Sequence, residues 1–293
     1  LFTAPDDAGN LQPPKLNVLS LHESRGLSVD ELATHLAPFK VQRATIAALV
    51  ETFEHAKTFG SLIQIPYSLK THLAVLPQVL ASVKQSGDMY ATAAADDLQP
   101  LVQQAQVLAM QFDAVVANPP YMGGKGMNPP LKEYANSSFQ ASKSDLFAMF
   151  MERAFEWCKS SGFNSMVTMH TWMFLSSYEA MRNALLKQHS LVSLLHLPYD
   201  GKGPTAMEIS FGINLAIFQS QKIKDVNSFF DCCRYFELDD NGVPNRFPSK
   251  NERNVTAKQD DLVKIPGSPI AYWIPSFDIF DLPRIADEFI SGG

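Results

Sequence analysis

The spacing of apolar positions changes several times along the chain. Residues 16–21, LNVLSL, alternate apolar and polar side chains and therefore predict a strand. Over residues 22–111 apolar side chains recur at helical spacing, and Ser28 with Glu31 three positions later predicts a capped helix start. Three prolines interrupt this pattern, at Pro38, Pro66 and Pro77. The sequence therefore predicts a set of short helices in place of one long helix.

A short apolar run at 114–117 stops at the tetrapeptide 118–121, Asn-Pro-Pro-Tyr. Its length and its valines predict a fully buried strand of a parallel sheet, which the two prolines end. Residues that follow such a strand lie at the carboxyl edge of the sheet, where open α/β folds keep their active sites. The next stretch, 122–141, is rich in Gly, Pro, Asn and Ser and predicts a loop at that edge.

Strands and helices alternate in the second half of the chain. A helix is predicted over 145–159, capped by Ser144 and followed by a turn at Gly162. Four further segments continue the pattern as strand, helix, strand and strand, over 165–169, 177–189, 191–197 and 209–219. This order predicts an α/β sheet with a hairpin at its end. Beyond Lys222 the pattern fades into polar turns, which indicates a linker.

The composition indicates a soluble globular protein. With 293 residues, of which 46% are hydrophobic and 18% charged, the chain can bury a large core in one or two domains. No apolar run reaches the ~18 residues of a membrane span, and no amino-terminal segment resembles a signal peptide. The net charge of -6 provides no general attraction to nucleic acid, so any DNA contact must be local.

Cysteine usage favours a reducing compartment. The three cysteines, Cys158, Cys232 and Cys233, have no metal-ligand spacing and cannot form an even disulfide framework. We therefore expect a cytoplasmic protein in which these residues occupy core or strand positions.

The tetrapeptide 118–121 resembles the catalytic motif of methyltransferases that act on amino groups with S-adenosylmethionine, above all the adenine-N6 DNA enzymes. The exocyclic amine of adenine is a poor nucleophile because its lone pair is delocalised into the ring. The side-chain carbonyl of Asn118 and the main-chain carbonyl of Pro119 would accept its two hydrogens and favour a nitrogen that attacks the methyl group. The rings of Pro119 and Pro120 hold these carbonyls in place. Tyr121 offers a flat face to a base flipped out of the duplex.

The resemblance covers residues 112–221 well and the rest of the chain loosely. Together with the helical segment before the motif, these residues resemble the large adenine methyltransferases of bacterial phage-exclusion (BREX-type) systems and of fused restriction and modification enzymes. It implies a Rossmann-like class I methyltransferase sheet, whose usual strand order is 3-2-1-4-5-7-6. It also implies S-adenosylmethionine as the cofactor, double-stranded DNA as the partner, and other subunits of a defence system as further partners.

The resemblance also implies roles for single residues. Asn118 and Phe147 are expected to contact the cofactor, and part of 205–218 is expected to line the target-base pocket. The stretch 123–126, Gly-Gly-Lys-Gly, is interpreted as a hinge of the active-site loop in which Lys125 contacts a DNA phosphate.

One departure from the family pattern concerns the cofactor-binding signature, a Gly-x-Gly turn with an acidic residue at the end of the next strand. The glycines before Asn118 are isolated, at Gly9, Gly26, Gly60 and Gly87. The cofactor cradle is therefore expected before Leu1, in a longer protein. The 293 residues alone are expected to be inactive, to bind S-adenosylmethionine weakly or not at all, and to self-associate through an exposed strand edge.

These patterns divide the chain into four parts. Residues 1–21 are interpreted as a residual strand of the methyltransferase sheet and 22–111 as a helical insertion. The catalytic core is expected over 112–221. Residues 222–293 are interpreted as a linker and the start of a target-recognition domain.

Other functions are compatible with the same motif. Glutamine-N5 methyltransferases of release factors and some guanine-N2 RNA enzymes share the tetrapeptide, although both are usually compact. Cytosine-N4 enzymes more often carry Ser or Asp in place of Asn118. A catalytically inactive methyltransferase-like subunit that only binds DNA or protein is a further alternative, which the intact Asn118 and Tyr121 disfavour. The tetrapeptide can also be a simple strand-ending turn, but the α/β pattern around it favours the catalytic interpretation.

Overall fold

The computed structural model describes residues 16–199, 210–223, 229–235, 237–239 and 243–274, and the backbone of 4–5 and 11–12. The chain forms two compact units, residues 1–110 and 111–293. No helix within the described ranges is long and apolar enough to cross a membrane.

The first unit is built mainly from short helices. Its α-helices are α1 (Val29–Leu36), α2 (Arg43–Thr52), α3 (Ala56–Phe59), α4 (Tyr67–Lys70), α5 (Leu76–Lys84) and α6 (Met89–Leu108). Two short strands, β1 (Ala4–Pro5) and β2 (Leu11–Gln12), pair antiparallel with each other. The Ser28 hydroxyl accepts a hydrogen bond from the Glu31 amide over 3.4 Å, so the predicted start of α1 is confirmed.

The predicted division into short helices is also confirmed. Pro38 and Pro77 occupy first-turn positions of a 3-10 turn and of α5, and Pro66 directly precedes α4. At these positions the missing N–H of proline removes no helical hydrogen bond, so each proline marks a start.

The prediction of a strand over 16–21, as a residual strand of the methyltransferase sheet, is wrong. These residues have no regular secondary structure, and Leu16 and Val18 are 74% and 82% exposed. Apolar alternation produces a strand only where a neighbouring strand supplies hydrogen bonds. The end of the segment is held by Gln104 of α6 instead, whose side chain bonds both the amide and the carbonyl of His22, at 2.8 and 2.9 Å.

Among its described residues the second unit contains a six-stranded mixed sheet. Its strands are β3 (Phe112–Ala117), β4 (Cys158–Met169), β5 (Ser190–Leu197), β6 (Ile213–Gln219), β7 (Phe229–Arg234) and β8 (Val255–Lys258). They lie in the order β3-β4-β6-β5-β7-β8. The β3/β4 and β5/β7 pairs are parallel, and the other three pairs are antiparallel.

The first four strands of this sheet confirm the α/β fold class and the hairpin. Read from β3, they follow the 4-5-7-6 part of the class I methyltransferase order, with β6 inserted antiparallel between β4 and β5. The helices of this unit are α7 (Pro129–Ser138), α8 (Leu146–Trp157), α9 (Glu179–Gln188) and α10 (Gln259–Leu262). Large apolar side chains of α8, the sheet and the 170–174 turn form one core around Phe147, Trp172 and Phe218.

The expectation that the motif strand is fully buried is wrong. Among the described residues β3 is an edge strand that pairs only with β4, and Val116 is 76% exposed. A run of valines shows that a strand forms but does not show what covers it.

The predicted loop over 122–141 contains a helix, α7. The Asn128 side chain accepts from the Leu131 amide over 3.0 Å, the two following prolines occupy the first helical turn, and Leu131 and Ala135 are buried. Asn and Pro are helix-start residues as well as loop residues, so their abundance alone was ambiguous.

Two predicted boundaries of α8 also need correction. Its N-cap is Asp145 and not Ser144, because the Asp145 carboxylate accepts from the Phe147 amide over 3.2 Å. Gly162 does not end a turn but lies within β4, in an irregular stretch of its pairing with β3. A Cβ atom at Gly162 would lie 2.9 Å from the Phe112 carbonyl oxygen, so close strand approach explains the glycine.

The linker predicted beyond Lys222 is wrong for the described residues. β7 and β8 extend the same sheet, and the buried Ile270 and Tyr272 pack into its core. Asp231 and Arg234 break the apolar pattern of β7, which hid this short strand from the sequence. The expected core positions of the cysteines are confirmed, since all three are buried and lie in β4 and β7. Residues 275–293, part of the expected recognition domain, lie outside the described ranges.

Candidate active site

The tetrapeptide 118–121 follows the carboxyl end of β3, as the sequence predicts. The parallel neighbour β4 ends at the same edge of the sheet, with Ala117 paired to Met166. Pro119 is buried, whereas Asn118 and Pro120 are exposed and Tyr121 is half-buried. The side-chain carboxamide of Asn118 is therefore accessible to a bound molecule while the backbone beside it is packed.

The Tyr121 hydroxyl links the motif to itself and to β4. It lies 3.0 Å from the Asn118 Oδ1 atom and 3.3 Å from the Val167 carbonyl oxygen, and it donates its single hydrogen to one or the other. Burial raises the pKa of Tyr121, so the hydroxyl is protonated at neutral pH. The motif alone predicts a role only for the face of this ring.

Asp145 anchors the loop that follows the motif. One carboxylate oxygen accepts from the Met122 amide at 3.0 Å as well as capping α8, and the Leu146 amide donates to the Met122 carbonyl over 3.1 Å. The Gly124 amide donates to the Ser144 carbonyl over 3.2 Å. The loop is therefore attached to the start of α8 by a short antiparallel bridge. Burial raises the pKa of the Asp145 carboxyl, and its bonds to backbone amides oppose that shift.

The ring of Tyr121 contacts two phenylalanines. Its centroid is 5.5 Å from that of Phe211 and 6.1 Å from that of Phe147, both with edge-to-face geometry. Phe211 lies in the 205–218 stretch expected to line the base pocket, of which 205–209 lie outside the described residues. No signal in the sequence distinguishes Phe211 from its neighbours in this stretch.

Phe147 is enclosed by protein. Its ring is 0% exposed and also contacts Tyr178 at a centroid distance of 5.8 Å, so contact with a cofactor would require neighbouring side chains to move. Phe150, one turn later on α8, is half-buried and keeps accessible surface.

Lys125 is exposed on a tight turn of the loop. The Gly126 amide donates to the Gly123 carbonyl over 2.9 Å, which closes the turn below the lysine. Among the described residues no cluster of His, Cys, Asp or Glu side chains is suited to hold a metal ion. The chemistry available at this edge is therefore a carboxamide, main-chain carbonyls, aromatic rings and one nearby cation.

Residues 27–202, more than half of the chain, match the family described as Eco57I restriction-modification methylase. The chain is 41% identical over 302 residues to the adenine-specific methyltransferase BrxX of Escherichia coli O9:H4 (strain HS), covering 97% of this chain and 24% of that protein. It is 33% identical over 185 residues to the adenine-specific methyltransferase PglX of Lacticaseibacillus casei (strain Zhang), covering 60% of this chain and 15% of that protein.

The chain thus spans about a quarter or less of the length of these curated relatives. A solved methyltransferase subunit of a type I restriction-modification system from Streptococcus thermophilus is 14% identical, with a TM-score of 0.38, over 67% of this chain and 51% of that chain. A similarity of that size carries no conclusion about function.

Proposed function

The chain belongs to the Eco57I restriction-modification methylase family, and we propose that it carries the catalytic motif of an enzyme that methylates the N6 amine of adenine in DNA. The methyl donor is S-adenosylmethionine, and the enzyme acts in a bacterial phage-exclusion or restriction-modification system. The observation that carries the proposal is the exposed Asn118 carboxamide at the carboxyl end of β3, bonded to the Tyr121 hydroxyl. The two curated relatives above are both named adenine-specific methyltransferases.

The residues at this edge suit the chemistry of amine methylation. S-adenosylmethionine, when bound, would supply a methyl group on its positively charged sulfur. The amine nitrogen would bond to the methyl carbon as the carbon–sulfur bond breaks, so that S-adenosylhomocysteine leaves with the electron pair and one amine hydrogen is lost as a proton to solvent. Asn118 Oδ1 and the Pro119 carbonyl would accept the two amine hydrogens, which directs the nitrogen lone pair out of the plane of the base. A carbonyl oxygen has two lone pairs, so Asn118 can accept from the amine while it accepts from Tyr121.

The target base would lie against the ring of Tyr121. Tyr121 is half-buried and supported edge-on by Phe211 and Phe147, so its ring is held in one orientation. Stacking of the adenine on such a ring offsets part of the unstacking energy of base flipping. We propose that Lys125, on the exposed turn of the same loop, contacts a DNA phosphate.

We also propose separate roles for the segments of the chain. Residues 112–221 carry the catalytic motif, and the helices within 22–111 form an insertion that precedes it. Asn118 and a ring on α8 contribute to cofactor contact, and Phe150 is the partly exposed candidate beside the buried Phe147.

The identity of the methylated product tests the proposed function. The full-length protein is produced in bacteria that lack adenine methylation, and their DNA is digested to nucleosides for mass spectrometry. We expect N6-methyldeoxyadenosine with the wild type and none with Asn118→Ala. Asn136→Ala is a matched control, because Asn136 is an exposed asparagine on α7 whose side chain has no assigned role. N4-methyldeoxycytidine, or methylation of protein or RNA alone, would overturn the proposal.

A further inference from the structure

A chain of three hydrogen-bonded side chains lies at the carboxyl ends of β4 and β5. His170 directly follows β4, and its Nδ1 atom is 2.9 Å from His196 Nε2 at the carboxyl end of β5. The other ring nitrogen of His196, Nδ1, is 3.0 Å from the Tyr272 hydroxyl. His196 and Tyr272 are buried and His170 is half-buried. Buried groups in such a chain fix one another's orientation, because each would lose its partner by rotating.

The two histidines are neutral at physiological pH. Burial, with Arg234 nearby, lowers the pKa of His170 to about 4, and burial together with His170 and Arg234 lowers that of His196 to about 3. One neutral imidazole then donates and the other accepts, which a nitrogen-to-nitrogen bond requires. The chain of bonds is therefore intact under the conditions in which the enzyme works.

The His170 ring packs directly on Gly212. The His170 amide donates to the Gly212 carbonyl over 3.0 Å, and a Cβ atom at position 212 would overlap the imidazole. The ring fills the space that any other side chain at 212 would need. A shift of the ring would therefore leave a gap beside the backbone just before β6, and a side chain at 212 would displace one or the other.

That backbone carries Phe211, whose ring supports Tyr121 edge-on at 5.5 Å. We infer that His170, held by His196 and Tyr272, is a positioning residue that fixes Phe211 against Tyr121 and so sets the width of the pocket for the target base. This inference rests on the proposed function, because the pocket has meaning only if a base enters it. Its effect on the reaction passes through Gly212 and Phe211, without contact between the histidine and the substrate.

If the histidine pair had a purely structural role, its loss would lower the melting temperature but leave the turnover of the folded fraction unchanged. Misplacement of Phe211 lowers kcat while the KM for S-adenosylmethionine stays the same, because a shift of about 1 Å at a reacting group can change a rate by up to ~100-fold.

The test uses full-length protein, tritiated S-adenosylmethionine and genomic DNA from bacteria without adenine methylation. Gly212→Ala, which inserts a methyl group against the ring, is expected to lower kcat about tenfold or more. His170→Asn keeps a polar atom near His196 but removes the ring from Gly212, and a several-fold loss is expected. In the double variant the methyl group enters the space that the ring has left, so kcat should recover above that of Gly212→Ala.

His189→Asn is the matched control. His189 precedes β5 at the opposite end of the strand, and its Nδ1 atom bonds the Ser220 carbonyl oxygen at 2.6 Å. It is a partly buried histidine of the same sheet that has no connection to Phe211, so its variant should lose stability and keep kcat. Tyr272→Phe, which removes one oxygen atom from the far end of the chain, should lower kcat about threefold.

Each result has a defined meaning. Rescue of Gly212→Ala by His170→Asn, with an unchanged KM for S-adenosylmethionine, supports the inference. A kcat within twofold of wild type for Gly212→Ala and Tyr272→Phe, or a double variant no better than Gly212→Ala, overturns it and leaves the proposed function intact. Absence of methyl transfer to adenine by the wild type would overturn the proposed function itself, and the inference with it.

Discussion

The Tyr121 hydroxyl lies 3.0 Å from the Asn118 Oδ1 atom, so the two polar side chains of the motif are joined before any substrate binds. The alternative acceptor for this hydrogen is the Val167 carbonyl of β4, at 3.3 Å. A carboxamide held in this way needs less reorganisation when it receives the hydrogens of an amine. Tyr121 is therefore expected to act through its hydroxyl as well as its face.

Substitutions of Tyr121 separate these two roles. From the motif alone, Tyr121→Phe is expected to be mild and Tyr121→Ala to lose about 1–3 kcal/mol of base stacking. The bond to Asn118 adds a loss of kcat of several-fold for Tyr121→Phe, with an unchanged KM for DNA. Steady-state kinetics of the full-length variants measure kcat and the KM for DNA. Wild-type kinetics for Tyr121→Phe would show that the hydroxyl bond is unimportant. An equal loss of activity in Tyr121→Phe and Tyr121→Ala would show that stacking is unimportant.

Asp145 is expected to stabilise the site through its acceptor oxygen and not through its charge. Asp145→Asn keeps an oxygen for the Met122 and Phe147 amides and removes a partly buried charge, so stability should change little. Asp145→Ala removes the helix cap and the loop anchor and should lower the free energy of unfolding by about 1–2 kcal/mol. Urea denaturation of the 293-residue polypeptide tests this.

Asp113→Ala is the control for Asp145. Asp113 is exposed and pairs with Lys159 on the surface, so its removal should have little effect. Equal losses for Asp145→Asn and Asp145→Ala would mean that the charge itself is required.

The histidine pair predicts loss of stability in acid. The pKa values of His170 and His196 are lowered in the folded state, from 6.5 to about 4 and about 3, so the unfolded chain binds protons first as the pH falls. The free energy of unfolding should therefore fall between about pH 6.5 and pH 4. The raised pKa values of Asp145 and Glu152 act in the opposite direction, so variant and wild type must be compared.

The His170→Gln/His196→Gln variant is expected to be less stable than wild type at pH 7 but less sensitive to acid. Denaturation midpoints at several pH values measure how steeply the stability of the variant and of the wild type falls with pH. Parallel slopes for variant and wild type from pH 6.5 to pH 4 would show that the histidines are not held neutral by the fold.

The exposed edge of β3 predicts self-association of the 293-residue polypeptide. β3 pairs only with β4 among the described strands, and an unpaired edge with an exposed valine invites another strand. Sedimentation velocity should show concentration-dependent association, which Val116→Lys should reduce. A polypeptide that stays monomeric at all concentrations would contradict this expectation.

Much of the second unit could be predicted from local patterns. Strands β4, β5 and β6 and helices α8 and α9 have strong periodicity, and their order alone indicates an α/β sheet. The exposed edge of β3 agrees with the expected strand edge, whereas the place of 16–21 could not be predicted, because it depends on whether another strand lies alongside. β7 was missed because Asp231 and Arg234 interrupt its short apolar run.

The geometry of the candidate site could be predicted only within the motif. Asn118 and Tyr121 lie together because four residues in sequence cannot separate far. The support from Asp145 and Phe211 comes from residues 24 or more positions away, and no spacing rule links them to the motif. A Leu-Phe sequence on α8 shows that a ring is present, but only packing shows that Phe147 is buried and Phe150 is not.

The most direct test of the central claim is the single-turnover rate of methyl transfer by full-length Asn118→Ala, with DNA and S-adenosylmethionine both saturating. In the proposed mechanism Asn118 acts on the amine in the transition state, whereas DNA affinity is expected to depend mostly on phosphate contacts. We predict that the variant loses about 100-fold or more in rate and binds DNA as tightly as wild type. A rate of a tenth of wild type or higher would contradict the assignment of Asn118 as the catalytic residue.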